Sequence, residues 1–178
     1  MFAIRARRPL LASLVAIVAL ALGGGVAAGV TTKAKPKPKI TAAGVGLVNI
    51  GATYSELRAA HLIGATSAGC QLAGPTARSA KLLAPVRGTA SLTLTAPRKI
   101  QTITVRGGAT AHGVAIGAPL AKVTKAFPKA VADHSTDAMF GVTLLKVPQN
   151  GGGKLQFAVS TKTGKVTIIG IPSIALCD

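Results

Sequence analysis

A chain of 178 residues with 21 Lys and Arg against 4 Asp and Glu carries a formal net charge of +17. Four acidic residues leave almost nothing from which to assemble the paired carboxylates of acid–base catalysis. One Tyr, four Phe and no Trp leave few rings on which nucleobases stack, and neither helix-turn-helix nor zinc-finger spacing is present. A field of this sign attracts other anionic surfaces instead: wall polymers, lipid head groups or acidic proteins.

Residues 1–28 have the form of a secretory signal peptide: Arg5, Arg7 and Arg8, a dense apolar run Leu10–Leu22, then the small residues Val26, Ala27 and Ala28 after Gly23–Gly25. The uncharged run Leu10–Val30 also has the ~20-residue length of a membrane-spanning anchor. Both readings place the rest of the chain outside the cytoplasm, secreted or membrane-tethered. In residues 29–39, Lys33, Lys35, Lys37 and Lys39 alternate with Ala34, Pro36 and Pro38, so charge repulsion and fixed proline φ predict an extended linker.

Beyond it, a pattern recurs at an offset of 66. Ile50-Gly51-Ala52 leads into Thr53–Glu56, a capping box, and Ile116-Gly117-Ala118 leads into Pro119, suited to a first helical position. Each copy reads as a short apolar strand, a Gly turn and a helix, the helices stopping near Gly64 and Pro128. On the second helix Leu120, Val123 and Phe127 form the core stripe, and Lys122, Lys125 and Lys129 the opposite one.

Alternating strands follow. In the first copy Leu92 and Leu94, then Ile103 and Val105, flank a Pro97-Arg98-Lys99 turn. In the second, a strand Phe140–Val147 precedes Leu155, Phe157 and Val159. A Thr161–Gly164 turn then leads to Val166, Ile168 and Gly170 on one face, or Thr167, Ile169 and Ile171 on the other. Lys99, Ile100 and Val105 align with Lys165, Val166 and Ile171 at the same offset. The expected fold is α+β: a tandem repeat of a strand–helix–antiparallel meander unit, residues 40–108 and 109–178, sharing one domain with helices on one face of the sheet.

Two cysteines in an exported chain predict one disulfide, Cys70 to Cys177. Closing a loop of ~100 residues removes nearly 5 kcal/mol of unfolded-chain entropy in the simple model.

The cue Ile-Gly-x-Thr/Pro-x-x-x-Leu/Val, carried by Ile50, Gly51, Thr53 and Leu57 and by Ile116, Gly117, Pro119 and Val123, resembles the repeat of the beta-lactamase-inhibitor-protein-like fold. It is similar also to the BamE/SmpA envelope proteins. The resemblance implies an exported, non-enzymatic binding domain. It does not extend to the inhibitor's aromatic-rich binding sheet, because this chain has so few aromatics.

Candidate chemistry is sparse. Asp133, His134 and Asp137 form one polar cluster, read as a loop that lacks the further ligands of a strong metal site. His61 reads as packed or helix-terminal and His112 as a turn residue. No Gly-x-Ser-x-Gly elbow marks a nucleophile, and Gly151–Gly153 reads as a hairpin loop and not a phosphate loop. A thiol dyad of Cys70 with His61 or His134 is set aside because the disulfide accounts for Cys70. No catalytic residue, metal or cofactor is expected. The expected function is a binding module with a basic surface of Arg98, Lys99, Lys122, Lys125, Lys129, Lys162 and Lys165, engaging an acidic protein or an anionic envelope polymer. Membrane contact would come only through an uncleaved N-terminal segment. The alternatives are an inhibitor of an extracellular enzyme, a small hydrolase or metal protein built on Asp133, His134 and Asp137, and a structural envelope domain with no discrete ligand.

Overall fold

Period-two alternation marks the central strands of the chain, Ile100–Gly107 and Lys154–Ser160. The structure is a computed structural model describing residues 36–149 and 151–176. The signal segment, most of the linker and Cys177 lie outside the described residues. Three two-residue strands, β1 (Ile40–Thr41), β2 (Gly44–Val45) and β3 (Val48–Asn49), form a small antiparallel sheet. Then follow α1 (Tyr54–Ala59), β4 (Ile63–Ala68), β5 (Arg78–Leu82), β6 (Arg87–Leu92) and β7 (Ile100–Gly107). The remaining elements are α2 (Leu120–Ala126), β8 (Val131–Asp133), α3 (Asp137–Phe140), β9 (Val142–Pro148), β10 (Lys154–Ser160) and β11 (Val166–Ile171). The fold is thus mostly antiparallel sheet with few helices.

One sheet of eight strands runs β4-β5-β6-β7-β11-β10-β9-β8. The two meanders join edge to edge at β7 and β11, where Ile103, Thr104 and Val105 pair with Ile171, Gly170 and Ile169. One face of this sheet builds the main core, with Ile103, Val105, Leu155, Phe157, Ile169 and Ile171 fully buried. Leu57, Val123 and Phe127 belong to the same apolar cluster. The Phe127 and Phe157 rings lie 5.3 Å apart.

The second face differs between the halves. On β4–β7 a register row of hydroxyls, Ser67, Ser79, Ser91 and Thr102, crosses the sheet. Beside β11 the chain returns over the sheet, so that Ile174 joins Leu144, Ala158 and Ile168 in a second, smaller apolar cluster. Gly170 lies directly under this return, where a Cβ would sit 2.6 Å from the Ser173 carbonyl oxygen.

Both phases offered by β11 are therefore buried: Ile169 and Ile171 in the main core, Ile168 in the smaller cluster. Val166 also enters the main core, across a register shift beside Ala158 and Val159.

Several expectations need correction. Gly64 does not end α1; it lies inside β4, because the helix stops at Ala59 and Ile63 is already claimed by the core. Leu94 and Leu120 are not core residues. They are 51% and 41% exposed, Leu94 because the turn begins after Leu92 and Leu120 because it opens a helix of only seven residues. Phe140 ends α3 instead of starting a strand. Pro119 is one position earlier than expected, at the N-cap with ψ 154°. Lys129 lies past the end of α2. The linker is not free to its end: Ile40 N–H donates to the Thr110 carbonyl at 2.7 Å, and Thr110 N–H to that of Pro38 at 3.0 Å.

Candidate functional site: two basic corners

Four of the expected basic residues, Arg98, Lys99, Lys162 and Lys165, lie where a hairpin turn meets the start of a helix, and such a corner forms twice. At the first corner, Thr53 bridges Lys99, Tyr54 N–H donates to the Arg98 carbonyl at 2.8 Å, and Gly51 N–H to that of Ile100 at 2.8 Å. At the second, Pro119 bridges Lys165, Leu120 N–H donates to the Gly164 carbonyl at 2.9 Å, and Gly117 N–H to that of Val166 at 2.8 Å. Gly51 and Gly117 make the preceding turns at φ 83° and 85°, in the left-handed region that glycine enters without steric cost.

The side chains at the two corners are used differently. The Thr53 hydroxyl accepts from Glu56 N–H at 3.3 Å, and the Glu56 carboxylate accepts from Thr53 N–H at 3.1 Å and from its hydroxyl at 2.7 Å. Those Thr53 hydrogen bonds, with a smaller effect of the Lys99 charge, hold the Glu56 carboxyl below its ordinary value. The Arg98 guanidinium donates to the Thr93 and Thr76 carbonyls at 3.4 Å, tying its turn to the segment before β5. Arg98 is thus partly occupied within the fold, while Lys99 is exposed.

At the second corner no carboxylate stands in the first turn of α2, and Pro119 makes no side-chain cap. Position N3, filled by Glu56 in α1, is filled by Lys122 in α2. Lys122, Lys125, Lys129, Lys162 and Lys165 are all exposed. Among the described residues the ion pairs are His134–Asp137 and Lys146–Asp133, and neither draws on these five. The turn of Lys162 and Lys165 thus lies against the start of α2, which carries Lys122, while Lys125 sits in the last turn of α2, Lys129 beyond it, and Arg98 and Lys99 at the other corner.

The polar cluster is a knot of internal contacts. Asp133 accepts from Lys146 Nζ at 2.7 Å and from the Ser135 hydroxyl at 2.7 Å, contacts that keep its carboxyl far below the ordinary carboxylate range. Asp137 is held by His134 Nδ1 at 2.8 Å and by the Thr143 hydroxyl at 2.9 Å, His134 being the main cause of its lowered pKa. Cys70 is disulfide-bonded, which removes a thiolate nucleophile, while its expected partner Cys177 lies outside the described residues. His61 follows α1 at φ 55° and is exposed. His112 occupies the Ala111–Val114 turn, its ring 5.2 Å from that of Phe127. Gly151–Gly153 lie in the β9–β10 hairpin, closed by Gln149 N–H on the Gly153 carbonyl at 2.9 Å.

Sequence reasoning missed one surface. An apolar groove opens between the N-terminal segment, the β2–β3 turn and the β5–β6 turn. Its only signal in the sequence is two short leucine-bearing turns, Gly46-Leu47 and Leu83-Ala84-Pro85. Among the described residues, no helix is long and apolar enough to cross a membrane.

No protein-family model matches the chain, and neither the curated proteins nor the solved structures include a significant match to it.

Proposed function

We propose that this chain is an exported, non-enzymatic binding module made of two tandem strand–helix–meander units, with helices over one face of a shared sheet. Its partner is an acidic protein or an anionic polymer of the cell envelope, held mainly at the Lys122–Lys165 corner. The repeat reading draws support from hydrogen bonds and bridges that recur 66 positions apart: Thr53–Lys99 with Pro119–Lys165, and Val45–Val48 with Ala111–Val114. The β7–β11 register supports it as well, because adding 66 to Ile103, Thr104 and Val105 gives Ile169, Gly170 and Ile171, the same three residues they pair with. Such a register is what a two-fold relation between the units produces.

The observation that carries the binding reading is Lys122. A cation in the first turn of a helix opposes the helix dipole and costs a few tenths of a kcal/mol. Helix stability favours the carboxylate that α1 has at this position, so the lysine is better explained by an outside anion. Fourteen Lys and Arg against four acids from Ile40 onward, a charge near +10, supply the surrounding field.

Exposed charges are screened within about 8 Å at physiological ionic strength. Binding of the exported protein to envelope fractions should therefore fall steeply between low and high salt. Binding that is indifferent to salt contradicts the proposal.

A further inference from the structure

The end of the fold where the described chain begins carries apolar surface that the core does not use. Leu47, at the tip of the β2–β3 hairpin, is 75% exposed, and Leu83, in the β5–β6 turn, is 38% exposed. Both line one groove of about 380 Å³ with Pro36, Lys37, Val45 and Pro85. Val45 and Val48, on either side of the hairpin tip, are buried, so Leu47 is turned away from a core that its neighbours fill. Contiguous apolar surface of this kind marks a contact with something else.

Cations surround it. Lys37 and Lys39 lie on the N-terminal segment, Lys81 two residues before Leu83, and Arg87 two residues after Pro85; all four are exposed. None belongs to an ion pair among the described residues. The sequence adds Lys33 and Lys35 immediately upstream. Apolar groups at turn tips with cations set back from them match the layers of an anionic bilayer, acyl boundary first and head groups above it. A polyanion offers only the second layer. One such signal gives only marginal membrane binding, and firmer association takes two together, an inserted apolar group and a basic patch.

We propose that this end of the fold is a membrane-surface contact: Leu47 and Leu83 enter the acyl boundary of an anionic leaflet while Lys37, Lys39, Lys81 and Arg87 rest among its head groups. The contact goes beyond the binding function proposed above, uses a different surface, and does not require an uncleaved N-terminal segment.

The absence of any native Trp makes the test site-specific. In the full chain, Leu47→Trp places a single indole at the groove tip, and Met139→Trp places one on α3, 79% exposed and outside both proposed surfaces, as a control. Each is mixed with phosphatidylcholine vesicles, with and without anionic phosphatidylserine, carrying a quencher on the acyl chains. The expected result is a blue shift and strong quenching for Leu47→Trp in anionic vesicles, little in neutral ones, and an unshifted, unquenched Met139→Trp. Adding Leu83→Ser to Leu47→Trp should weaken the vesicle response about tenfold, the change expected for losing one buried leucine. Equal quenching in the two variants, quenching independent of anionic lipid, or a Leu47→Trp indole that stays in water overturns the proposal. A blue shift without vesicles, rising with protein concentration, assigns the groove to a second copy and overturns it too. Any of these outcomes can occur while salt-dependent envelope binding at the lysine corner persists, so the two readings fail separately.

Discussion

The two corners have nearly the same backbone and opposite side-chain chemistry. At Thr53–Lys99 side chains close the helix start: the capping box pairs Thr53 with Glu56, Arg98 ties down its turn, and the Lys99 charge acts weakly on Glu56. At Pro119–Lys165 the same backbone hydrogen bonds form without a side-chain cap, and five lysines face water. The comparison separates what the fold requires from what it permits. Backbone pairing and one buried apolar residue per helix, Leu57 or Val123, suffice to build a corner. The rest of the side-chain choice is open to function.

The largest effect that sharpens this contrast lies in the core. Leu57→Ala should cost about 2–5 kcal/mol and Val123→Ala about 2 kcal/mol, measured by denaturant unfolding, since both anchors are buried but Val has less to lose. If either proved neutral, its corner would not be held by that residue. Next in size is the cap. Thr53→Ala should cost about 1 kcal/mol, and a double-mutant cycle with Glu56→Gln should show coupling between the two. The same cycle at Pro119 and Lys122 should show none.

Acid should then distinguish the corners. Glu56 has a folded pKa below its ordinary 4.5, so its contribution is complete above that value and fades as pH falls through the lower folded one. The same sign holds for Asp133 and Asp137. Amide exchange should show the Thr53 corner and the β8–β9 edge loosening in acid, while the Leu120–Gly164 bond, with no carboxylate near it, keeps its protection. Uniform loosening would mean that the carboxylates are not what separates them. The smallest effect is Lys122→Glu, which should leave stability unchanged or raise it by about 0.5 kcal/mol, by removing a cation from the helix start.

Much of this was legible in residue patterns. Alternation at Leu155–Val159 and Ile103–Val105 marks the central strands, and Thr53-x-x-Glu56 marks a helix start, because each signal is local. β4 and β5 were not legible. Ile63–Ala68 and Arg78–Leu82 are rich in Ala, Ser and Thr and carry little apolar alternation, so their pairing depends on the strands beside them. Helix ends were overextended for a related reason: six- and seven-residue helices are held by one buried residue and stop where the next strand takes the chain. The seven basic candidates could be read off the sequence, but not their division into two groups. That division arises from turns that meet helices more than forty residues away.

The most direct test of the lysine corner as a binding surface, and not a structural one, is a paired measurement on Lys122→Glu/Lys162→Glu: thermal stability, and binding to envelope fractions at low salt. The account predicts binding reduced about tenfold or more with Tm unchanged or slightly higher, since the lost interactions are with an outside anion. Undiminished binding, or a loss of binding matched by a loss of Tm, would contradict it.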